Sequence, residues 1–314
     1  MASVVGESAT TSAPPGREEL ASRGRARGNP WRRPWLMEGF TWLYILWSIV
    51  PIAIAVLFSF NKGASQATWQ GFSTKWYVGS GVTSVLHNPS LHHAVIQTLV
   101  LAVLTTVICV PIGVSFAIGI DRWRSRTSTG LNFVMIFSFV LPELLLAVAL
   151  FLLVTQGLTF IKLGTPAEVA GLVVWNISWP AIIVRARLVS IGPTYEEAAA
   201  DLGASRIGAI WRVLLPMLMP AIFASSVLVF ASTVDDFVIV EQLSSTANTQ
   251  PMSVLIYSNV HGGLSGPALN ALATIMLVVS LFAALIGFVG YRWLTRGERR
   301  KGGTAEALTN IAGI

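Results

Sequence analysis

Residues 217–240 read MLMPAIFASSVLVFASTVDDFVIV, an apolar run whose only charged side chains are the adjacent acids Asp235 and Asp236. About 20 apolar residues are enough for a helix to cross the hydrocarbon core of a bilayer, so this run predicts a membrane-spanning helix. A charged side chain at that depth costs roughly 3 kcal/mol, and it usually faces protein or water and marks a solute path.

The two acids are expected to play different roles. Neighbouring residues on a helix point about 100° apart, so one can line a narrow path while the other caps or pairs with a neighbouring helix. The sequence leaves open whether Asp235 or Asp236 lines the path. It also leaves open whether both are structural, hydrogen-bonded near the end of the helix.

The whole chain shares the apolar character of this run. Of its 314 residues, 54% are hydrophobic and 11% are charged, with a mean hydropathy of +0.67. Soluble domains carry about 25% charged residues, so the composition predicts an integral membrane protein. An all-α, polytopic fold with six transmembrane helices is predicted from apolar stretches at residues 41–60, 94–120, 129–156, 169–184, 217–240 and about 268–291. The fourth is the shortest, and its helix is expected to extend past Glu168 or Arg185.

Lysine and arginine residues predict the orientation of these helices, because the cytoplasmic loops of membrane proteins are rich in both. The tail before the first stretch holds six, the loop after the second holds three, residues 185–212 hold four, and the C-terminal tail holds five. The loops on the other side hold only Lys62, Lys75 and Lys162. Both termini and residues 190–216 are therefore predicted to be cytoplasmic.

Several classes of function find no support in the sequence. The net charge of +6 comes from the lysine and arginine residues that are concentrated in the loops of one side. No basic stretch with interleaved aromatic residues indicates nucleic-acid binding. Cys109 is the only cysteine, so no intrachain disulfide is expected. His87, His92 and His93 have no cysteine or acid at ligand spacing, and we assign no metal. No catalytic set, cofactor motif or G-x-x-x-x-G-K-[ST] phosphate loop is present. The first 40 residues lack a signal-peptide pattern, so the first helix is expected to be an uncleaved insertion signal.

Residues 190–216 predict a short helix-turn-helix. Thr194 is followed three residues later by Glu197, a capping-box pattern that predicts a helix start. Gly203 is suited to end that helix in a left-handed conformation, and a second helix is predicted from Ser205. Pro216 is expected to close the segment just before the membrane. Four charged side chains are expected to remain free for a partner: Glu196, Glu197, Asp201 and Arg206.

The spacing within this segment is similar to the EAA motif of bacterial ABC-importer permeases, whose pattern is EAA, three residues, Gly, nine residues and Ile-x-Leu-Pro. The matching residues are Glu197, Ala198, Ala199, Gly203 and Pro216, whereas Val213 replaces the isoleucine. The resemblance implies that 190–216 is a coupling segment seated in a groove of an ATPase subunit, with Arg206 as a charged contact at its edge.

Other stretches resemble the second permease subunit, the C-type, of spermidine/putrescine importers. They read FSFNK, WQGFSTKWY, VLPELLLAVAL, VDDFVI and PMSVLIYSNVHGGLSGPALNALATI, and the similarity covers about residues 40–295. The resemblance implies a type I importer permease in a bacterial inner membrane. Its implied partners are ATPase subunits, a second homologous permease and an extracytoplasmic substrate-binding protein, and the implied solute is a polyamine.

The expected domain organisation follows from these observations. Residues 1–35 are predicted to be a disordered basic cytoplasmic tail, because they lack a periodic apolar pattern. Residues 36–296 form the six-helix permease domain with the coupling segment 190–216. Residues 297–314 are predicted to be a cytoplasmic C-terminal tail.

Three further side chains are candidates for the path. Glu143 follows Pro142 in the third stretch, where a proline kinks a helix and an acid can face solute. Trp175 and Trp179 lie one turn apart, where their rings could meet a cation or pack between helices. For each, a purely structural role remains an alternative.

Three other functions are alternatives from the sequence. An ion-gradient-driven secondary transporter would use Asp235, Asp236 and Glu143 as proton or cation carriers, but it leaves the capped cytoplasmic segment without a role. An importer for another small cationic or amine-containing solute fits the acids as well as a polyamine importer does. A membrane scaffold or receptor would leave the intramembrane acids unexplained.

Overall fold

The computed structural model describes residues 35–65, 67–79, 83–123, 126–158, 160–245, 249–259 and 266–311, with the side chains of the last helix described as far as Trp293. Within these residues the secondary structure is helical apart from one isolated bridge between Asn61 and Phe72. The predicted disorder of the N-terminal tail concerns residues that lie outside the described ranges, apart from Trp35.

Eleven helices are present in the described residues. They are α1 (Trp35–Ser59), α2 (Lys75–Val78), α3 (Pro89–Arg122), α4 (Arg126–Val140), α5 (Glu143–Gly157), α6 (Thr165–Ile191), α7 (Thr194–Asp201), α8 (Arg206–Asp235), α9 (Val238–Leu243), α10 (Met252–Asn259) and α11 (Gly266–Ile311).

Five of these helices are long and apolar enough to cross a membrane, namely α1, α3, α6, α8 and the Gly266–Trp293 part of α11. A sixth span results if α4 and α5 are counted together. Each predicted apolar stretch coincides with one of these spans. The prediction of an all-α, polytopic fold is therefore confirmed.

The third predicted stretch is broken at Leu141 and Pro142, and α4 and α5 meet there at 105°. Proline has no N–H to donate and disfavours the helical conformation of the residue before it. Pro142 itself adopts an extended conformation, with φ −60° and ψ 125°, and α5 begins at the next residue. The kink predicted from Pro142 is thus a sharp turn between two helices.

The fourth predicted stretch becomes a helix of 27 residues because it extends past both Glu168 and Arg185. The Glu168 side chain is fully buried, and it accepts hydrogen bonds from Gln97 Nε2 at 2.7 Å and Ser244 Oγ at 2.9 Å. Arg185 donates to the Asn132 side chain of α4. Buried polar groups are tolerated when they are hydrogen-bonded, and here the partners come from other parts of the chain.

Contacts divide the chain into two units, Met1–Ala53 and Ile54–Ile314, with the boundary inside α1. In the first unit, every described side chain is exposed. An apolar helix that is exposed on all sides is suited to lipid or to another membrane helix.

In the second unit, α3 contributes to all three apolar clusters of the core. It packs with α6 and α8 around Val184 and Leu218, with α5, α6 and α9 around Leu172 and Ile239, and with α10 and α11 around Met252. Cys109 of α3 is fully buried in the first of these clusters. The central position of α3 means that a displacement of this helix reaches most of the unit.

A glycine allows α3 and α6 to approach closely. A Cβ atom at Gly113 would lie 2.5 Å from Cγ of Pro180 and 3.2 Å from the carbonyl oxygen of Ile177. A proline ring and a backbone carbonyl cannot rotate away. At Gly119, six residues later on the same helix, a Cβ would meet nothing within 4 Å.

We expect Gly113→Ala to destabilise the protein by about 1–3 kcal/mol, because it overpacks the contact between α3 and α6. Gly119→Ala is the matched control and should be neutral or stabilising by up to about 1 kcal/mol, since alanine favours the helix. The apparent Tm of the detergent-solubilised protein measures the difference. Equal Tm values for the two variants would contradict this assignment.

Candidate functional site

The segment singled out by its spacing begins with α7. The helix starts at Thr194 as predicted, but the Thr194 hydroxyl makes no capping hydrogen bond, so the capping-box prediction is wrong. Pro193 holds the N-cap position with nearly helical angles, φ −86° and ψ −10°. Thr194 therefore lies one residue inside the helix. The amides of Glu196 and Glu197 donate to the Pro193 carbonyl at 3.0 and 3.1 Å instead.

The end of α7 is fixed by Gly203. Its φ of +85° lies in the left-handed region, as predicted. The Gly203 amide donates to the Ala200 carbonyl at 2.8 Å, and the Ala204 amide donates to the Ala199 carbonyl at 3.0 Å. This pair of bonds is a Schellman motif, which satisfies carbonyls at the end of a helix.

The second helix, α8, is longer than predicted. Ser205 caps it by accepting a hydrogen bond from the Gly208 amide at 3.2 Å. The helix then continues into the membrane span, so the prediction that Pro216 closes the segment is wrong. A π turn at Ile210–Leu214 precedes the proline. Such a turn can accommodate the backbone hydrogen bond that the missing N–H of Pro216 removes.

Much of this segment is exposed, and α7 buries none of its residues. We define the coupling surface by four exposed apolar side chains, Tyr195 (54% exposed), Leu202 (90%), Ile207 (70%) and Trp211 (66%). Glu197, Ala198, Gly203, Arg206 and Pro216 are also exposed, and Ala199 is half-buried. Large apolar side chains exposed in this way are typical of an interaction surface.

One charged residue of the segment is not free for a partner. Glu196 pairs with Arg122 at the end of α3, with Arg122 Nη2 and Glu196 Oε1 2.7 Å apart. The prediction that Glu196 remains free is therefore wrong. No local pattern could have predicted this pair, because Arg122 lies on a helix two spans earlier than Glu196.

The helix that carries the adjacent acids ends at Asp235 rather than at Val240. Asp236 is extended, with ψ 131°, and its Oδ1 accepts a hydrogen bond from the Ile239 amide at 3.1 Å. The side chain thereby caps α9, and the Asp236 carbonyl accepts a bond from Ser253 Oγ at 2.6 Å. Asp236 is buried and Asp235 is exposed.

Glu143 lies next to Asp236, although the two residues are on different helices. The two carboxyl groups interact directly, and α5 packs against α9. Each acid is at the N-terminus of a short helix, where the helix dipole favours negative charge. Two like charges in contact repel each other, and a proton or a cation between them removes that repulsion.

The two candidate tryptophans do not form one site. Trp175 packs against the cluster around Leu172, whereas Trp179 packs against the cluster around Val184. Trp179 also meets Phe139 edge to face, with ring centroids 5.0 Å apart.

The loop after α1 is folded around Asn61, which is fully buried. Its Nδ2 donates to the carbonyls of Ser65 and Thr68 at 2.9 Å each, and its Oδ1 accepts from the Gln70 amide at 2.8 Å. Trp76 Nε1 donates to the Asn61 carbonyl at 2.5 Å. These hydrogen bonds hold the loop in a defined conformation around the Asn61 side chain.

Comparison with known proteins identifies related sequences over most of the chain. The family described as "Binding-protein-dependent transport system inner membrane component" matches residues 109–301. The putrescine transport system permease protein PotI of Escherichia coli (strain K12) is 31% identical over 281 residues, which cover 87% of this chain and 94% of that protein. The spermidine/putrescine transport system permease protein PotC of the same strain is 33% identical over 266 residues, which cover 84% and 96%.

Solved structures share the fold at lower identity. One chain of a bacterial ABC transporter involved in the import of alginate aligns with a TM-score of 0.67 and 18% identity, covering 88% of this chain and 99% of that chain. A chain of the inward-facing MetNI methionine ABC transporter aligns with a TM-score of 0.54 and 17% identity, covering 67% and 96%. The family match and the similarity to the two permeases show that this chain belongs to the inner membrane components of binding-protein-dependent transport systems.

Proposed function

We propose that this chain is a transmembrane permease subunit of an ATP-driven importer of polyamines such as spermidine and putrescine. It forms half of the translocation path with a second, homologous permease in a bacterial inner membrane. An extracytoplasmic binding protein delivers the solute, and separate ATPase subunits supply the energy. The observation that carries this proposal is the similarity to two polyamine permeases over more than four-fifths of the chain.

The coupling surface is the part that meets the ATPase. Its helix-turn-helix is held in one geometry by the Schellman motif at Gly203 and the Ser205 cap. Exposed Leu202 and Ile207 supply apolar contact, and the charges of Glu197 and Arg206 stand at its edge. A rigid, partly apolar projection of this kind suits a groove on a soluble partner.

The contact of Glu143 with Asp236 is the proposed solute site in this subunit. A polyamine carries several ammonium groups, and a carboxyl pair that forms no ion pair with a basic side chain within the described ranges attracts such a group. Phe237 follows Asp236 directly in the chain, its ring centroid lies 4.6 Å from that of Tyr257, and Tyr257 is 60% exposed. Aromatic faces of this kind attract ammonium groups. Asp235 is exposed next to them and adds a further negative charge.

The same carboxyl groups also support a second candidate function, which is the import of another small amine-containing cation. An ion-gradient-driven carrier is not supported, since it gives no role to the exposed apolar side chains of the coupling surface.

Replacing Leu202 by aspartate should lower uptake by about tenfold or more, because a charge replaces a large apolar contact at an interface. The amount of protein in the membrane should not change, and the ATPase subunit should no longer copurify. Phe160→Asp is the control, since Phe160 is 79% exposed on the opposite, predicted external side. Normal uptake by the Leu202 variant would refute the docking assignment.

Variants of Asp236 separate a structural role from a role in the path. Asp236→Asn keeps an oxygen that accepts from the Ile239 amide, so stability should be retained while polyamine uptake falls. Asp236→Ala removes the cap and should also lower stability by about 1 kcal/mol. Uptake assays and thermal unfolding of the solubilised protein measure the two effects. If Asp236→Asn transports as well as the natural protein, the carboxyl is structural only.

Competition uptake tests the solute. In cells that carry the complete importer, unlabelled spermidine and putrescine should each suppress radiolabelled putrescine uptake, and a neutral sugar should not. The same cells without this chain should lose the competed component. Uptake that is independent of this chain would remove the polyamine assignment and leave the family membership in place.

A further inference from the structure

Arg122 joins three elements at one end of the helical core. It is the last residue of α3, and its guanidinium contacts the end of α6 and the first turn of α7. Nε donates to Glu196 Oε1 and Oε2 at 3.0 and 3.1 Å, and Nη2 donates to Oε1 at 2.7 Å. Nη1 pairs with Asp121 of its own helix. All three guanidinium nitrogens therefore have acceptors.

The contact with α6 is made through Gly192, the residue that ends this helix. Gly192 has φ +69° and ψ −179°, a conformation that only glycine adopts readily. Its carbonyl accepts a hydrogen bond from Arg122 Nη2 at 3.2 Å. The guanidinium thus donates a hydrogen bond to a backbone carbonyl at the point where α6 ends and the chain leads into α7.

This ion pair differs from an ordinary surface pair. The Arg122 side chain is 23% exposed and that of Glu196 is 19% exposed, so water screens the pair only in part. The fork-like geometry also fixes the orientation of the carboxylate relative to the guanidinium. Because α7 buries no residue of its own, a polar contact of this kind is well placed to hold it against the core.

We propose that Arg122 is a positioning residue that transmits movement of α7 to α3 and α6. The inference rests on the proposed function, in which α7 carries the coupling surface. When the ATPase moves α7, the bond to Glu196 pulls on the end of α3, and the bond to Gly192 pulls on the end of α6. Because α3 contributes to all three apolar clusters, this movement reaches the helices that surround Glu143 and Asp236.

A charge exchange tests the proposal in the complete importer. Arg122→Glu and Glu196→Arg should each lower uptake by about tenfold, because each places like charges in contact. The double variant restores opposite charges and should recover about threefold or more over either single variant. Arg126→Glu is the control: Arg126 is the first residue of α4, makes no ion pair within the described residues, and should keep near-normal uptake.

The second readout is solute transported per ATP hydrolysed by purified complexes in lipid nanodiscs. A positioning role predicts that Arg122→Glu keeps the ATPase subunit bound and keeps ATP hydrolysis, while transport per ATP falls. A purely structural role would lower the yield of assembled complex and leave that ratio unchanged, which would overturn the proposal. Failure of the double variant to recover would also overturn it. Loss of docking itself is recognised separately, by release of the ATPase subunit from the Leu202 variant.

Discussion

Inside a bilayer no water is available to satisfy the backbone groups that a helix break exposes, and hydrogen bonds from within the chain must satisfy them instead. At the break after Asp235, the Asp236 side chain accepts from the Ile239 amide, and Ser253 donates to the Asp236 carbonyl. At the end of α6, Arg122 donates to the Gly192 carbonyl. Charged side chains are thus placed where the backbone needs them.

The parts of the fold that the sequence predicts well depend on local rules. Apolar runs located the spans, and the left-handed Gly203 and the start of the second helix at Ser205 followed from residue type and spacing. The errors occurred where another residue, near or distant in the sequence, decides the outcome. Thr194 looked like a cap, but Pro193 already holds that position. Glu196 was expected to be free for a partner, but Arg122 at the end of α3 pairs with it.

The candidate site was predicted only in part for the same reason. Glu143 and Asp236 were each selected because an acid in an apolar stretch is costly, but their contact depends on how α5 and α9 pack. The assumption that Asp235 and Asp236 share one helix was also wrong, since the helix ends at Asp235 and Asp236 is extended. The periodicity of apolar residues cannot report that a helix ends at such a point. The end of this helix follows from the packing of α9 and α10 around Asp236.

The burial of Cys109 has a practical consequence for studying transport. The only thiol of the chain is enclosed between α3, α6 and α8, so water-soluble maleimides and spin labels have no reactive position on the natural protein. A cysteine introduced at exposed Tyr257 or Leu202 would therefore be the single labelled point. Distances between such labels in the two permeases of one importer can then be followed through the ATP cycle without first removing a native residue from the core.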